Sequence, residues 1–385
     1  GQYTEEKDFE ALRQRLSLLE HGFGTPLRLA YLSIPPTAFS AVLGNLCRGK
    51  VHDHARAGDF RCIVEKPVGH DLRNAEEIWG QLTSCFRPEE IFLLDHYLGK
   101  EAVRNIYYIR FANPILERLL KNTLIHHIEI AALEDSGIEG RVGYFDRVGT
   151  LRDMVQSHLL EMAALLTMRL REEEDTFRES RCQALEQFYL PPAPCLSDVI
   201  LQGQYRGYCE EEGMPKSSRT NTFVALRLLT KTARFAGIPF YLRTGKCLQK
   251  KETRITVQFQ ETQHVHGGAP NRLDIILQGE AGMRIHLQTK LGGSEPSFRP
   301  LLLEDPLVCV GDCLPEHSLL LLEAMHGKTQ WYLTFEEVRA AWRLIDPLQS
   351  HLDSASTALP LYGAGSRGPE EMHAWIARAG LSWLP

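Results

Sequence analysis

The sequence predicts an α/β layer of parallel strands followed by a larger α+β domain, with a mainly antiparallel sheet and packed helices. Three observations predict it. Short apolar runs alternate with amphipathic segments up to residue 94. The texture changes after about residue 100. Several strand-like runs then cluster between 222 and 290. At 385 residues the chain can hold two domains with full cores.

In residues 8–21, Phe9, Leu12, Leu16 and Leu19 stand near helical spacing. Leu27-Arg28-Leu29-Ala30-Tyr31-Leu32 reads as a buried strand, ended by Pro35-Pro36 because proline cannot donate to a sheet ladder. A helix from about 37 to 48 follows. Phe60-Arg61-Cys62-Ile63-Val64 is the next strand, stopped at Glu65-Lys66-Pro67. A helix over about 71–84 leads to Ile91-Phe92-Leu93-Leu94, short enough to be a buried strand. Strand, helix, strand, helix, strand at this spacing implies parallel βαβ units, a partial Rossmann-like sheet. Three strands are too few for a complete nucleotide-binding sheet, and the half that carries a Gly-rich phosphate loop is missing before residue 27.

Beyond residue 100, Ile125–Ala131 alternates like a strand and residues 150–170 form a strong helix. The four acids 172–175 read as a solvated helix end, and Pro191-Pro192-Ala193-Pro194 marks a loop. Thr222–Leu228, Arg254–Phe259 and Leu273–Leu277 are the strands of the antiparallel sheet. Helices return at about 316–326 and 335–343.

Composition excludes several function classes. A net charge of −6 argues against a broad nucleic-acid-binding surface. No run approaches the roughly 18 apolar residues a membrane span needs. The start, Gly1 to Lys7, is too polar for a signal peptide, and because it opens on Gly rather than Met the chain is expected to be a fragment. Nine scattered cysteines, an odd number without a Cys-x-x-Cys, are expected as free thiols in a reducing cytosol.

The densest chemistry is Asp95-His96-Tyr97-Leu98-Gly99-Lys100, placed directly after a buried strand. Open α/β sheets hold their ligands at such strand ends. Lys100 and His96 can both donate to a phosphate, which points to a phosphorylated small molecule; a solvated strand end is the alternative. His158 shares one helix face with Leu151, Met154, Val155 and Met162. It is either a core histidine with a satisfied nitrogen or a general base in a dry site, oriented by Asp95. Lys66 stands after a strand, where it could touch nucleotide and substrate, or be a surface lysine before a turn that Pro67 fixes in cis. Lys246 and Lys251 lie in a basic segment suited to an anion or to solvent. Gly363-Ala364-Gly365-Ser366-Arg367-Gly368 fits G-x-G-x-x-G but has no clear strand before it and no room for a βαβ unit after it, so it is rejected. His264-Val265-His266 is too weak for a metal site, and no metal is expected.

Together these segments resemble the glucose-6-phosphate dehydrogenase family. Ile63-Val64-Glu65-Lys66-Pro67, the 95–100 cluster, Glu139–Asp146, Arg152-Asp153 through His158 and Arg243-Thr244-Gly245-Lys246 occur in the family's order, and the resemblance runs from about residue 2 to the end. It implies oxidation of glucose 6-phosphate to the 6-phosphogluconolactone with NADP as acceptor. His158 would be the base and Asp95 its support. His96, Tyr97 and Lys100 would bind the phosphate. Glu134, Asp153, Lys246, Lys251 and Gln278 would hold the sugar, while Lys66 would bridge substrate and coenzyme and Pro35 would touch the coenzyme. The implied organisation is residues 1–95 as the C-terminal part of an NADP-binding domain and 96–385 as a substrate-binding and oligomerisation domain, in a cytoplasmic homodimer or homotetramer. Ser157 stands where the family usually has Asn. Glu252 and Thr256 replace cations that would hold a second, structural NADP, leaving Arg367, so that site is not expected. The missing Gly-rich loop also motivates an alternative: a non-catalytic paralogue that binds a sugar phosphate or a dehydrogenase subunit.

Overall fold

The structure, a computed structural model, describes residues 2–22, 26–34, 36–53, 59–171, 173–261, 269–295, 297–311, 313–354 and 358–384. The first layer consists of α1 (Glu6–Leu19), β1 (Leu27–Leu32), α2 (Pro36–Arg48), β2 (Asp59–Glu65), α3 (Leu72–Thr83) and β3 (Ile91–Leu94). The strands are parallel in the order β1-β2-β3, with Ala30 opposite Cys62 and Ile63 opposite Phe92. Every residue of β3 is buried, as a strand covered on both faces requires. Asp71 starts α3 by accepting the Asn74 backbone N–H at 2.7 Å.

The rest of the chain runs through α4 (Glu101–Ala112), α5 (Pro114–Leu119), β4 (Ile125–Leu133), α6 (Val142–Thr150), a π-helical stretch (Leu151–Leu159), α7 (Leu160–Thr167), α8 (Glu174–Glu186), β5 (Phe188–Tyr189), β6 (Ile200–Tyr205), β7 (Phe223–Thr230), β8 (Phe240–Gly245), β9 (Glu252–Phe259), β10 (Arg272–Gln278), β11 (Gly282–Lys290), β12 (Phe298–Pro306), α9 (Glu316–Met325), α10 (Phe335–Ser354), β13 (Leu361–Tyr362) and α11 (Glu371–Ala377). Nine strands follow the order β12-β11-β10-β9-β4-β8-β7-β6-β13, and β5 pairs with β7. The pairing is antiparallel except at β4–β8 and β6–β13, which are parallel.

α10 ties the two layers together. The Trp342 indole donates to the Val68 carbonyl at 3.1 Å, Trp79 stacks on Phe335 at 4.6 Å, and the Leu333 N–H donates to the Leu93 carbonyl. The carboxyl ends of β1–β3 therefore meet the helices that carry the second domain's polar residues.

Several expectations need correction. The helix expected over 150–170 is composite: Gly149 (φ 68°) breaks α6, and Asn221 accepts the freed N–H groups of Thr150 and Leu151. Four cysteines expected as free thiols are paired, Cys47 with Cys85 and Cys309 with Cys313, with Cα atoms 5.6 and 6.2 Å apart. Cys47 ends α2 and Cys85 follows α3, two packed helices whose neighbouring ends bring distant cysteines together. A two-residue strand, β13, does precede the G-x-G-x-x-G segment, which docks as a turn on the β8–β9 connection through Gly365 N–H to Cys247 and Gln249 N–H to Ser366. His264 and His266 lie outside the described residues. Among the described residues no helix is long and apolar enough to cross a membrane.

Candidate active site

β3 delivers Asp95 to a fully buried position, and a 3-10 turn over His96–Gly99 follows at once. The Asp95 carboxylate accepts the Tyr97 backbone N–H at 2.9 Å, closing that turn. Its oxygens also lie 2.7 and 2.9 Å from His158 Nδ1. His158 comes from the π-helical stretch, whose wider turn also displays Asp153 toward the site. With Nδ1 donating to Asp95, Nε2 is left as the acceptor. Lys66, at the end of β2, places its Nζ 3.2 Å from that nitrogen and donates to the Asp153 backbone carbonyl. The Lys66–Pro67 peptide bond is cis, as expected.

Aromatic rings wall the base. Tyr97 stacks on His158 with centroids 4.0 Å apart, His96 meets it edge-on at 4.7 Å, and Lys100 Nζ lies 3.8 Å over the Tyr97 ring. Across the site, Lys246 from the end of β8 donates to Glu134 from the end of β4, because β4 and β8 are parallel neighbours. Asp153 lies 3.9 Å from Lys66 and accepts from Tyr144 Oη at 3.4 Å. Gln278 accepts from Thr253 Oγ1 at 3.1 Å, and Lys251 is exposed at the rim. The site residues expected from sequence are thus brought together, except Pro35, which lies outside the described residues.

The electrostatics suit a neutral base beside an ionised acid. Burial pushes His158 below its ordinary pKa, although Asp95 pulls the other way. Burial would raise Asp95, but the charge and hydrogen bond of His158, with His96 and Lys66, hold it well below the carboxylate range. His96 is pushed down to about 3 by burial and by His158. Lys66 and Lys100 are lowered, chiefly by burial. Asp153 is lowered despite its burial, by Lys66 and Lys246.

Sequence reasoning passed over Tyr144, Thr253 and His317. Tyr144 sits inside the Glu139–Asp146 segment and could have been found there. His317, on α9, stacks on His96 at 5.8 Å and bonds Glu65 at 3.2 Å, and no local pattern announces it. Asp95, His96 and His158 also lie close enough to share a metal ion, but Lys66 points a cation at the same nitrogen. A nicotinamide dinucleotide fits the shelf better. The carboxyl ends of three parallel strands and a half-buried lysine adjoining the proton acceptor are the features such a group uses.

Comparisons with known proteins agree. The family model "Glucose-6-phosphate dehydrogenase, NAD binding domain" matches residues 1–105, and "Glucose-6-phosphate dehydrogenase, C-terminal domain" matches 107–384. The chain is 32% identical to glucose-6-phosphate 1-dehydrogenase of Bacillus subtilis over 99% of this chain and 82% of the relative. It is 34% identical to the chloroplastic enzyme of Solanum tuberosum over all of this chain and 69% of that one. A solved glucose-6-phosphate dehydrogenase in complex with glucose 6-phosphate superposes with a TM-score of 0.89 at 28% identity, over 100% of this chain and 82% of that one. The Mycobacterium avium enzyme gives 0.85 at 30%, with 100% and 81% covered. The chain belongs to the glucose-6-phosphate dehydrogenase family.

Proposed function

We propose that this protein oxidises D-glucose 6-phosphate at C1 to the 6-phospho-gluconolactone, the first step of the oxidative pentose phosphate pathway, with NADP⁺ as acceptor. The observation that carries this is the buried Asp95–His158 pair at 2.7 Å, with the donors of the 95–100 turn on one side and Lys66 on the other. The comparisons support the dehydrogenase and not the non-catalytic alternative.

His158 Nε2 takes the proton of the C1 hydroxyl. Lys66 occupies that nitrogen in the free site, so the hydroxyl must displace it. The coenzyme, when bound, supplies the hydride acceptor. As hydride leaves C1 the carbon gains positive character, and loss of the hydroxyl proton to His158 relieves it. Asp95 fixes the tautomer and stabilises the imidazolium that forms. His96, Tyr97 and Lys100 receive the phosphate dianion. Glu134, Asp153, Lys246, Lys251 and Gln278 orient the sugar hydroxyls, and Lys66 lies between sugar and coenzyme, with Pro35 on the coenzyme side. The division of roles falls at residue 95, with the coenzyme before it and the sugar after it. A phosphorylated sugar does not cross membranes unaided, which favours a cytoplasmic enzyme. The exposed apolar side chains of β12 (Phe298, Leu302, Leu303) favour a homodimer or homotetramer.

The test is coenzyme reduction by the full-length protein, with glucose 6-phosphate, glucose and fructose 6-phosphate offered separately to NADP⁺ and NAD⁺. Turnover is expected with glucose 6-phosphate and NADP⁺. Faster turnover of unphosphorylated glucose would remove the phosphate assignment, and a clear preference for NAD⁺ would remove NADP.

A further inference from the structure

Beside Asp95 lies a small cavity. Its walls include Lys66, Asp95, Gln156, Ser157, Glu161 and Glu337. About 10 Å³ of it is open to the centre of a water molecule, roughly the room for a single water. Ser157 is 5% and Glu161 2% exposed, yet Ser157 Oγ and Glu161 Oε2 are buried atoms without a hydrogen-bond partner. The nearest charge to Glu161 Oε2 is Arg181 Nε at 3.4 Å, beyond a good hydrogen bond, and a polar atom left without a partner in a packed interior costs of order 1–3 kcal/mol. Ser157 and Glu161 stand four residues apart across the junction of the π-helical stretch and α7, and both line the cavity.

The charges around Glu161 come from four elements. Arg181 on α8 is fully buried and makes its close pair with Glu337 on α10, at 2.6 and 3.0 Å, leaving Glu161 at 3.4 Å. Asp95 faces Glu161 from the end of β3, and Lys66 lines the cavity opposite. One guanidinium cannot neutralise two carboxylates, and Glu337 holds the better geometry. Burial, followed by Glu337 and Asp95, accordingly raises the Glu161 pKa well above the carboxyl range.

We propose that Glu161 and Ser157 together hold one buried water against the Asp95 carboxylate, which makes both of them positioning residues of the Asp95–His158 pair. Glu161 acts as a neutral acid with a proton to donate, and Ser157 contributes a hydroxyl. The water passes a hydrogen bond to the carboxylate, so Asp95 keeps its orientation and charge through turnover. The inference rests on the assignment of His158 as base; His158→Ala abolishing turnover tests that assignment independently.

The experiment is a variant set at Glu161 and Ser157 in the full-length protein, read by kcat, KM and the pH profile of kcat/KM. Glu161→Leu should lower kcat about tenfold with KM for glucose 6-phosphate nearly unchanged, the size expected when one hydrogen bond to a charged group is lost. Glu161→Gln, which imitates the neutral acid in shape, should rescue kcat to within about threefold and leave the acid limb where it was. Ser157→Ala, a change too small to threaten the fold, should lower kcat by about threefold in the same way. An acid limb moved by Glu161→Gln would mean that Glu161 is charged and acts through space, overturning the proposal. Wild-type kcat in both Glu161→Leu and Ser157→Ala would reduce the cavity to packing. If Glu161→Leu does not fold, a high-resolution structure of the wild type decides: a water bonded to Ser157, Glu161 and Asp95 supports the proposal, and a dry cavity refutes it.

Discussion

Replacing Asp95 by Asn keeps the shape of the side chain and removes its charge. The carboxylate lies 2.7 Å from His158 Nδ1 in a site where both side chains are almost wholly buried. The charge centres of carboxylate and imidazolium are then roughly 4 Å apart, and an effective dielectric of about 20 gives about 4 kcal/mol of attraction. That attraction develops as His158 takes the proton, so it falls on the transition state rather than on substrate binding. At about 1.4 kcal/mol per decade, Asp95→Asn should lower kcat about 10³-fold and change KM for glucose 6-phosphate by less than about threefold. The pH profile adds a sign. The base works when neutral, so activity is lost as pH falls through the His158 pKa. That pKa already lies below the ordinary value because of burial, and Asp95 is the group that pulls it upward. Without the charge it drops further, and the acid limb should move to lower pH. Steady-state kinetics across pH 4.5–9 measure both effects. A kcat within about fivefold of wild type, or an acid limb that moves up, would refute the reasoning.

Other outcomes follow from neighbouring groups. Lys100→Ala should weaken glucose 6-phosphate binding by about 2–5 kcal/mol if the charge pair is desolvated; equal affinities by calorimetry would take Lys100 out of the phosphate site. Arg181→Met should destabilise the fold by about 3–5 kcal/mol in urea titration, because it leaves the fully buried Glu337 with its Thr334 hydrogen bonds but without its charge partner. His96 is held at about 3 in the folded chain, against 6.5 unfolded, so the unfolded state binds the extra proton between those values. Stability should therefore fall as pH drops from 6.5 toward 4, and His96→Gln should flatten that fall in urea midpoints; an unchanged slope would mean that His96 is not buried neutral.

Much of this architecture is legible in local pattern. The first-layer strands are short, mostly apolar runs, of which β3 alone is uninterrupted, and β1 and β3 have the bounds that the sequence pattern assigns. The large sheet was only partly legible. β7 is a near-continuous apolar run and β9 and β10 alternate in part, whereas β8 reads Phe240-Tyr241-Leu242-Arg243-Thr244-Gly245 with every residue buried, so alternation has nothing to report. β12 is mostly exposed on both faces and carries no period-2 signal either. The helix over 150–170 had the right apolar face, but periodicity cannot register a π-helical turn. The site residues stood out because polar groups follow apolar strands at 66 and 95. What no local pattern could supply is convergence: His317 and Glu337 reach the site across more than 150 residues, through the packing of α9 and α10 on the first layer. The Cys47–Cys85 pairing escapes local pattern for the same reason, since the two meet only where the ends of α2 and α3 do, whereas Cys309 and Cys313 are four residues apart and need no such convergence.

The most direct test of the central claim is the turnover of glucose 6-phosphate by His158→Ala in the full-length protein, with binding of the sugar phosphate measured on the same sample. A fall in kcat of at least about 10³ with affinity retained is the predicted result. Turnover close to wild type, with the substrate bound, would contradict the assignment of His158 as the base.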